Sequence, residues 1–148
     1  MIRLAKKKDT KRCTELGLKF WTEAGFDNFL GAVDEDSIHN LMKCLISHSA
    51  LFVIDDGGIK GILGFHIFDH PMKISAKCAQ ELFWWLDPDY RGDGGGVILL
   101  NKAESILKAR GVKQIIMITL EGLGHERIGG MYEQSGYKCL EHVYTKGL

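Results

Sequence analysis

The chain has 148 residues, 45% hydrophobic and 26% charged, with 19 Lys plus Arg against 19 Asp plus Glu. That length and composition suit one globular domain spanning 1–148 with a proper core, and the charge balance removes the field that would draw it to nucleic acid or an anionic membrane. Cys13, Cys44, Cys78 and Cys139 are widely spaced with no Cys-x-x-Cys pair, which argues against zinc and a disulfide framework, and no signal-peptide core or membrane-length apolar run is present, so a reduced cytoplasmic protein is expected.

Ile2 to Ala5 reads as a short strand, and the basic run Lys6 to Arg12 as a solvated loop without the interleaved aromatics of a nucleic-acid groove. Asp9 or Thr10 can cap a helix to about Trp21. Thr22 to Asp36, with its glycines and acidic cluster, reads as loop. Ser37 is placed as the cap of a second helix carrying Ile38, Leu41, Leu45 and Ile46 at helical spacing. Leu51 to Ile54 and Ile59 to Phe68 are strands joined by the turn Asp55-Asp56-Gly57-Gly58, and Gly61 and Gly64 suggest a bulge or close backbone packing. A third strand covers Ala79 to Leu86. A helix from Val97 to Arg110 stops at Gly111, and Gln114 to Thr119 is a buried strand. A short helix spans about His125 to Ser135, and Tyr137 to Thr145 is expected to return as a strand. This order predicts an α/β protein with one mixed, mostly antiparallel central sheet and helices on both faces.

Between the third strand and its helix lies Asp87-Pro88-Asp89-Tyr90-Arg91-Gly92-Asp93-Gly94-Gly95-Gly96. A glycine-dense turn feeding a helix leaves backbone N–H groups bare at the positive end of a helix dipole, which suits a phosphate. No Gly-Lys-Ser/Thr follows, so the nucleotide-triphosphate loop is excluded, and the dinucleotide Gly-x-Gly-x-x-Gly fails at Val97 and at Leu99. Arg-x-x-Gly-x-Gly is satisfied by Arg91, Gly94 and Gly96.

With the preceding Asp-Pro-Asp-Tyr-Arg-Gly, this loop resembles the acetyl-CoA pyrophosphate loop of the GNAT superfamily of N-acetyltransferases. His125-Glu126-Arg127 followed by Tyr132-Glu133 and Gly136-Tyr137 resembles that family's second motif, with Tyr137 for the usual Phe. The element order also matches the GNAT fold along nearly the whole chain, and Glu-Leu-Phe-Trp-Trp-Leu-Asp-Pro-Asp-Tyr-Arg-Gly is similar in wording to small bacteriophage-borne members.

The resemblance implies acetyl-CoA as cosubstrate and a primary amine, on a small molecule or a protein, as acceptor. It implies that two strands splay so that the pantetheine arm pairs with the backbone of Phe83, Trp84, Trp85 and Leu86, while Arg91, Gly92, Asp93, Gly94, Gly95 and Gly96 cradle the pyrophosphate. His125 stands where the family often has an Asn that bonds pantetheine. Tyr132 matches the general acid that protonates the departing thiolate; a plain core tyrosine is the competing reading, since Ile128 and Met131 share its helix face. Glu81 is a candidate base or a strand-end glutamate, with His66, His70 and His125 as alternatives. Of the adjacent Trp84 and Trp85, which face opposite ways, at least one belongs to the core.

Some positions depart from the family pattern. Gly95 replaces a larger residue, Val97 a polar one, and Asp93 sets a negative charge beside the expected pyrophosphate, harmless if turned outward and costly if turned inward. Asp27, Asp34, Glu35 and Asp36 would suit a cationic acceptor or serve only as an acidic surface. Small relatives suggest a homodimer. A non-catalytic acyl-CoA-binding or regulatory domain is the rival function.

Overall fold

A computed structural model describes residues 1–148. Five strands, β1 (Ile2–Leu4), β2 (Leu51–Asp55), β3 (Ile59–His70), β4 (Lys73–Leu86) and β5 (Val112–Ile116), lie in that order in one sheet. The first four pair antiparallel, and β5 runs parallel to β4 after the crossover helix α4 (Gly95–Ala109). The sheet is mixed and mostly antiparallel, as expected.

Helices cover both faces. On one side α1 (Thr10–Ala24) and α3 (Glu35–Ser47) bring Cys13, Leu16, Met42 and Leu45 against Leu51, Val53, Ile62, Phe83 and Trp85. On the other, α4 and α5 (His125–Gln134) bring Leu99, Leu100, Ala103, Leu107 and Tyr132 against Phe52, Leu63, Phe65 and Ala79. Strand alternation sorts β2 between the two cores: Leu51 and Val53 go one way, Phe52 and Ile54 the other.

One irregularity in β4 positions the site. Gly64 pairs with Phe83 and Phe65 with Glu81, leaving Leu82 as the extra residue of a β-bulge. Before the bulge, Ala79 and Glu81 face the α4–α5 side; after it, Phe83 and Trp85 face α1 and α3. The bulge therefore reverses which residues of β4 look at α5. Gly64 opposite it admits the Phe83 ring, since a Cβ there would stand 2.5 Å from Phe83 Cζ. Trp85 is core, and Trp84 faces the opposite layer.

Several boundaries differ from expectation. Asp34, not Ser37, caps α3: its side chain accepts from the Asp36 N–H at 3.2 Å and from the Ser37 hydroxyl at 2.5 Å. α1 continues to Ala24 and stops at Gly25 in the left-handed region, and the expected loop beyond it contains the single-turn α2 (Asp27–Leu30). β4 starts at Lys73 because the hairpin with β3 extends past the core to a tight turn at Pro71 and Met72. β5 covers Val112–Ile116 rather than Gln114 to Thr119, because the chain leaves β4 after Ile116. Tyr137 to Thr145 forms no strand: Leu140, Val143 and Tyr144 are exposed and no ladder reaches them. Its alternating residues fit a strand, but the segment meets no partner edge.

Candidate active site

The parallel ladder between β4 and β5 ends at Gln80 and Ile116. Beyond it the strands part, and the freed backbone of Ile118 must find partners elsewhere. Two side chains supply them. Glu81 Oε2 accepts from the Ile118 N–H at 3.0 Å, and the Tyr132 hydroxyl lies 3.2 Å from the Ile118 carbonyl. The same hydroxyl stands 3.4 Å from Glu81 Oε2. Glu81 and Tyr132 thus bridge the parted strands and meet each other at the opening.

A cavity of ≈ 60 Å³ sits there, lined by Phe20 of α1, Glu81, Trp84, Ile118, Leu120, Leu123, Ile128 and Tyr132. Its apolar walls decide the state of the two polar groups. Burial raises the Glu81 pKa from 4.5 to about 7, with the Ile118 N–H and the Tyr132 hydroxyl pulling it partly back. Burial, reinforced by the Glu81 charge, pushes the Tyr132 phenol well above its ordinary value, so it keeps its proton at neutral pH. The Tyr132 ring stacks on Trp84, centroids 6.2 Å apart and 24° between planes.

Where β5 has diverged, the outer edge of β4 from Phe83 to Leu86 has no strand beside it, its other edge being paired with Gly61 to Gly64. The glycine turn follows directly. Gly92 and Gly94 adopt φ of +91° and +87°, which a side chain would strain, and α4 starts at Gly95, two residues ahead of Val97. The N–H groups of Gly92, Asp93, Gly94, Gly96 and Val97 donate to no protein acceptor. The indole N–H of Trp84 is also buried without an acceptor, and its ring lies 3.1 Å from where a Gly96 Cβ would be. A row of bare amides at a helix N-terminus, an unpaired strand edge and an orphaned indole donor fit a ligand with an anionic and an amide-bearing part.

The side chain of Arg91 does not join that row. Its Nη1 and Nη2 donate to Glu23 at 2.6 and 2.8 Å, its Nε donates to the Leu86 carbonyl at 2.9 Å, and the guanidinium lies over the Trp85 ring at 5.2 Å. Trp85 Nε1 donates to the same Glu23 carboxylate at 2.6 Å. Arg91 thereby ties the loop to the last turn of α1. The sequence reading missed Glu23, and nothing in its spacing marks it: a glutamate near a helix end is ordinary.

The remaining candidates lie off the cavity. His66 stacks on Phe68 in the middle of β3, opposite Gln80, and His70 accepts from the Met72 N–H at the β3–β4 turn. His125, at the start of α5, faces Glu121 at 3.8 Å and does not line the cavity. Of the acidic segment, Asp34 serves as the α3 cap and Asp27 accepts from Trp21 Nε1 at 2.5 Å. Those two carboxylates have structural partners. No helix is long and apolar enough to cross a membrane.

A model of the acetyltransferase (GNAT) family matches residues 11–137. No curated protein matches the chain significantly. Among solved structures, a predicted acetyltransferase from Clostridium acetobutylicum, solved with acetyl-CoA, is similar at TM-score 0.77 and 13% identity, covering 99% of this chain and 95% of that one. A ribosomal-protein-alanine N-acetyltransferase from Brucella melitensis is similar at 0.72 and 16%, covering 100% and 99%. Glucosamine-6-phosphate N-acetyltransferase from Arabidopsis thaliana is similar at 0.70 and 18%, covering 99% and 96%. At these identities the likeness is one of fold.

Proposed function

Given that the chain belongs to the GNAT acetyltransferase family, we propose that it transfers an acetyl group from acetyl-CoA to a primary amine, with Glu81 and Tyr132 managing the protons. The observation that carries this reading is their meeting at the mouth of the β4–β5 opening, one polarised by burial to about 7 and the other kept protonated. The bare amides of Gly92, Asp93, Gly94, Gly96 and Val97 hold the diphosphate, and the free edge of Phe83 to Leu86 pairs with the pantetheine arm.

Acetyl-CoA supplies an activated acyl group with a thiolate leaving group. The residues supply what the reaction lacks. An alkylammonium, with pKa about 10.4, must lose a proton before it is nucleophilic. That first proton leaves to solvent; Glu81, with a carboxyl at about 7, accepts the second, released by the nitrogen as it bonds the carbonyl carbon, directly or through one water. Tyr132 donates its phenolic proton to the sulfur as the C–S bond breaks, and the protonated Glu81, 3.4 Å away, restores it. A phenol so firmly protonated is a weak donor by itself; the neighbouring carboxyl makes the transfer close without leaving a buried phenolate.

Structural neighbours of this fold are named for acceptors as different as a ribosomal-protein alanine and glucosamine-6-phosphate, so the test spans several classes of amine. Free CoA thiol is measured after incubation of acetyl-CoA with a panel of polyamines, aminosugars, peptide termini and lysine peptides. Thiol release with at least one amine supports the enzyme. Tight acetyl-CoA binding with no release across the panel favours the rival, a non-catalytic acyl-CoA-binding domain.

A further inference from the structure

Of the amides along the glycine turn, one is occupied. The Gly95 N–H donates to Asp93 Oδ1 at 2.8 Å. The carboxylate whose orientation the sequence left open is turned into the turn, at the start of α4. Two features of this chain allow it. Gly95 is bare, and a Cβ there would stand 3.0 Å from Asp93 Oδ1, tight enough that the carboxylate would have to yield. Arg91, the cation of the loop, has both Nη groups on Glu23, and Asp93 forms no ion pair.

We propose that Asp93 is a built-in competitor for the diphosphate cradle: its carboxylate fills the Gly95 amide in the free protein and must swing out for the cofactor to seat. This rests on the diphosphate reading given above and deepens it. One N–H has one proton, and two anions on it would repel across a few ångströms, so carboxylate and diphosphate exchange rather than share. The exchange weakens cofactor binding relative to the same loop without the carboxylate. It also shields the helix end from other anions when the cofactor is gone.

The test is a calorimetric titration with CoA of the full chain and of Asp93→Ala, Gly95→Ala, the double variant and Asp89→Ala, with thermal melts to confirm folding. Asp89 is an exposed neighbour in the preceding turn and controls for general charge. Asp93→Ala is expected to bind CoA at least fivefold tighter than the unaltered chain. Gly95→Ala is expected to loosen the carboxylate's hydrogen bond and tighten binding by less than Asp93→Ala does, and to add nothing once Asp93 is gone. An Asp93→Ala affinity equal to or weaker than the unaltered chain, or a gain matched by Asp89→Ala, overturns the competition while the functional reading stands. No CoA binding by any variant overturns both. Should Asp93→Ala prove misfolded, Asp93→Asn, which keeps the acceptor and removes the charge, is expected to bind CoA more tightly than the unaltered chain, and an affinity no tighter overturns the competition.

Discussion

Burial keeps Glu81 protonated up to about pH 7, and the carboxyl ordinarily titrates at 4.5. Between those values the folded chain holds a proton that the unfolded chain has released. Stability from this group is therefore greatest below about 4.5 and declines as pH rises to about 7, where the charged carboxylate must be buried. Glu81→Gln, which keeps an acceptor for the Ile118 N–H, is expected to raise the melting temperature relative to the parent at pH 8 and to narrow that gain at pH 5. The same substitution should remove the limb of the kcat profile near pH 7 and slow turnover by about 10²-fold, the usual lower bound for a general base. A pH profile that keeps its limb would take the base role from Glu81. Tyr132→Phe retains the Trp84 stack and loses the hydroxyl; kcat is expected to fall by about 10²-fold with acetyl-CoA affinity nearly unchanged. A purely structural tyrosine would instead lower the melting temperature and spare turnover.

The elements owe their arrangement to contacts of very different legibility. The glycine turn was readable because Gly92 and Gly94 answer a local demand, a positive φ that a side chain would strain. The helix faces were readable because Leu99, Leu100, Ala103 and Leu107 repeat at helical spacing. The Glu81–Tyr132 contact joins residues 51 apart and depends on a bulge at Leu82 that no local pattern announces. The α3 cap failed for a simpler reason: Asp34 and Ser37 are both good caps, and the geometry makes Ser37 donate to Asp34. Tyr137 to Thr145 has the alternation of a strand, yet strand formation needs a neighbouring edge that alternation does not specify. Two substitutions probe the elements. Gly64→Ala forces a methyl to 2.5 Å from the Phe83 ring and 3.1 Å from Leu45 Cδ1, so chemical denaturation should register a loss of about 1–3 kcal/mol. Glu23→Gln and Arg91→Gln should each cost about 1 kcal/mol or less, because the pair is over one-third exposed, and the double variant should cost no more than either alone. Additive costs would mean that α1 and the loop are not joined through this pair.

At the scale of the whole molecule, the sheet divides the work. Its α1–α3 side contributes a dry core and, through Phe20 and Glu23, one wall of the cavity and one anchor of the loop. Its α4–α5 side contributes the helix N-terminus and the phenol. The parting of β4 and β5 brings these contributions to one opening, where a ligand long enough to run from Gly92 to Tyr132 would touch all of them. Such a ligand must also stabilise the fold: by mass action, CoA at 100 times its dissociation constant should add about 2.7 kcal/mol to the unfolding free energy. The grip on the diphosphate is the claim on which the rest depends. It is tested most directly by comparing calorimetric titrations with CoA and with pantetheine, which lacks the diphosphate. Saturable one-to-one binding of CoA, with pantetheine far weaker, is the expected result. Equal affinity for the two, or no binding of CoA, would contradict it.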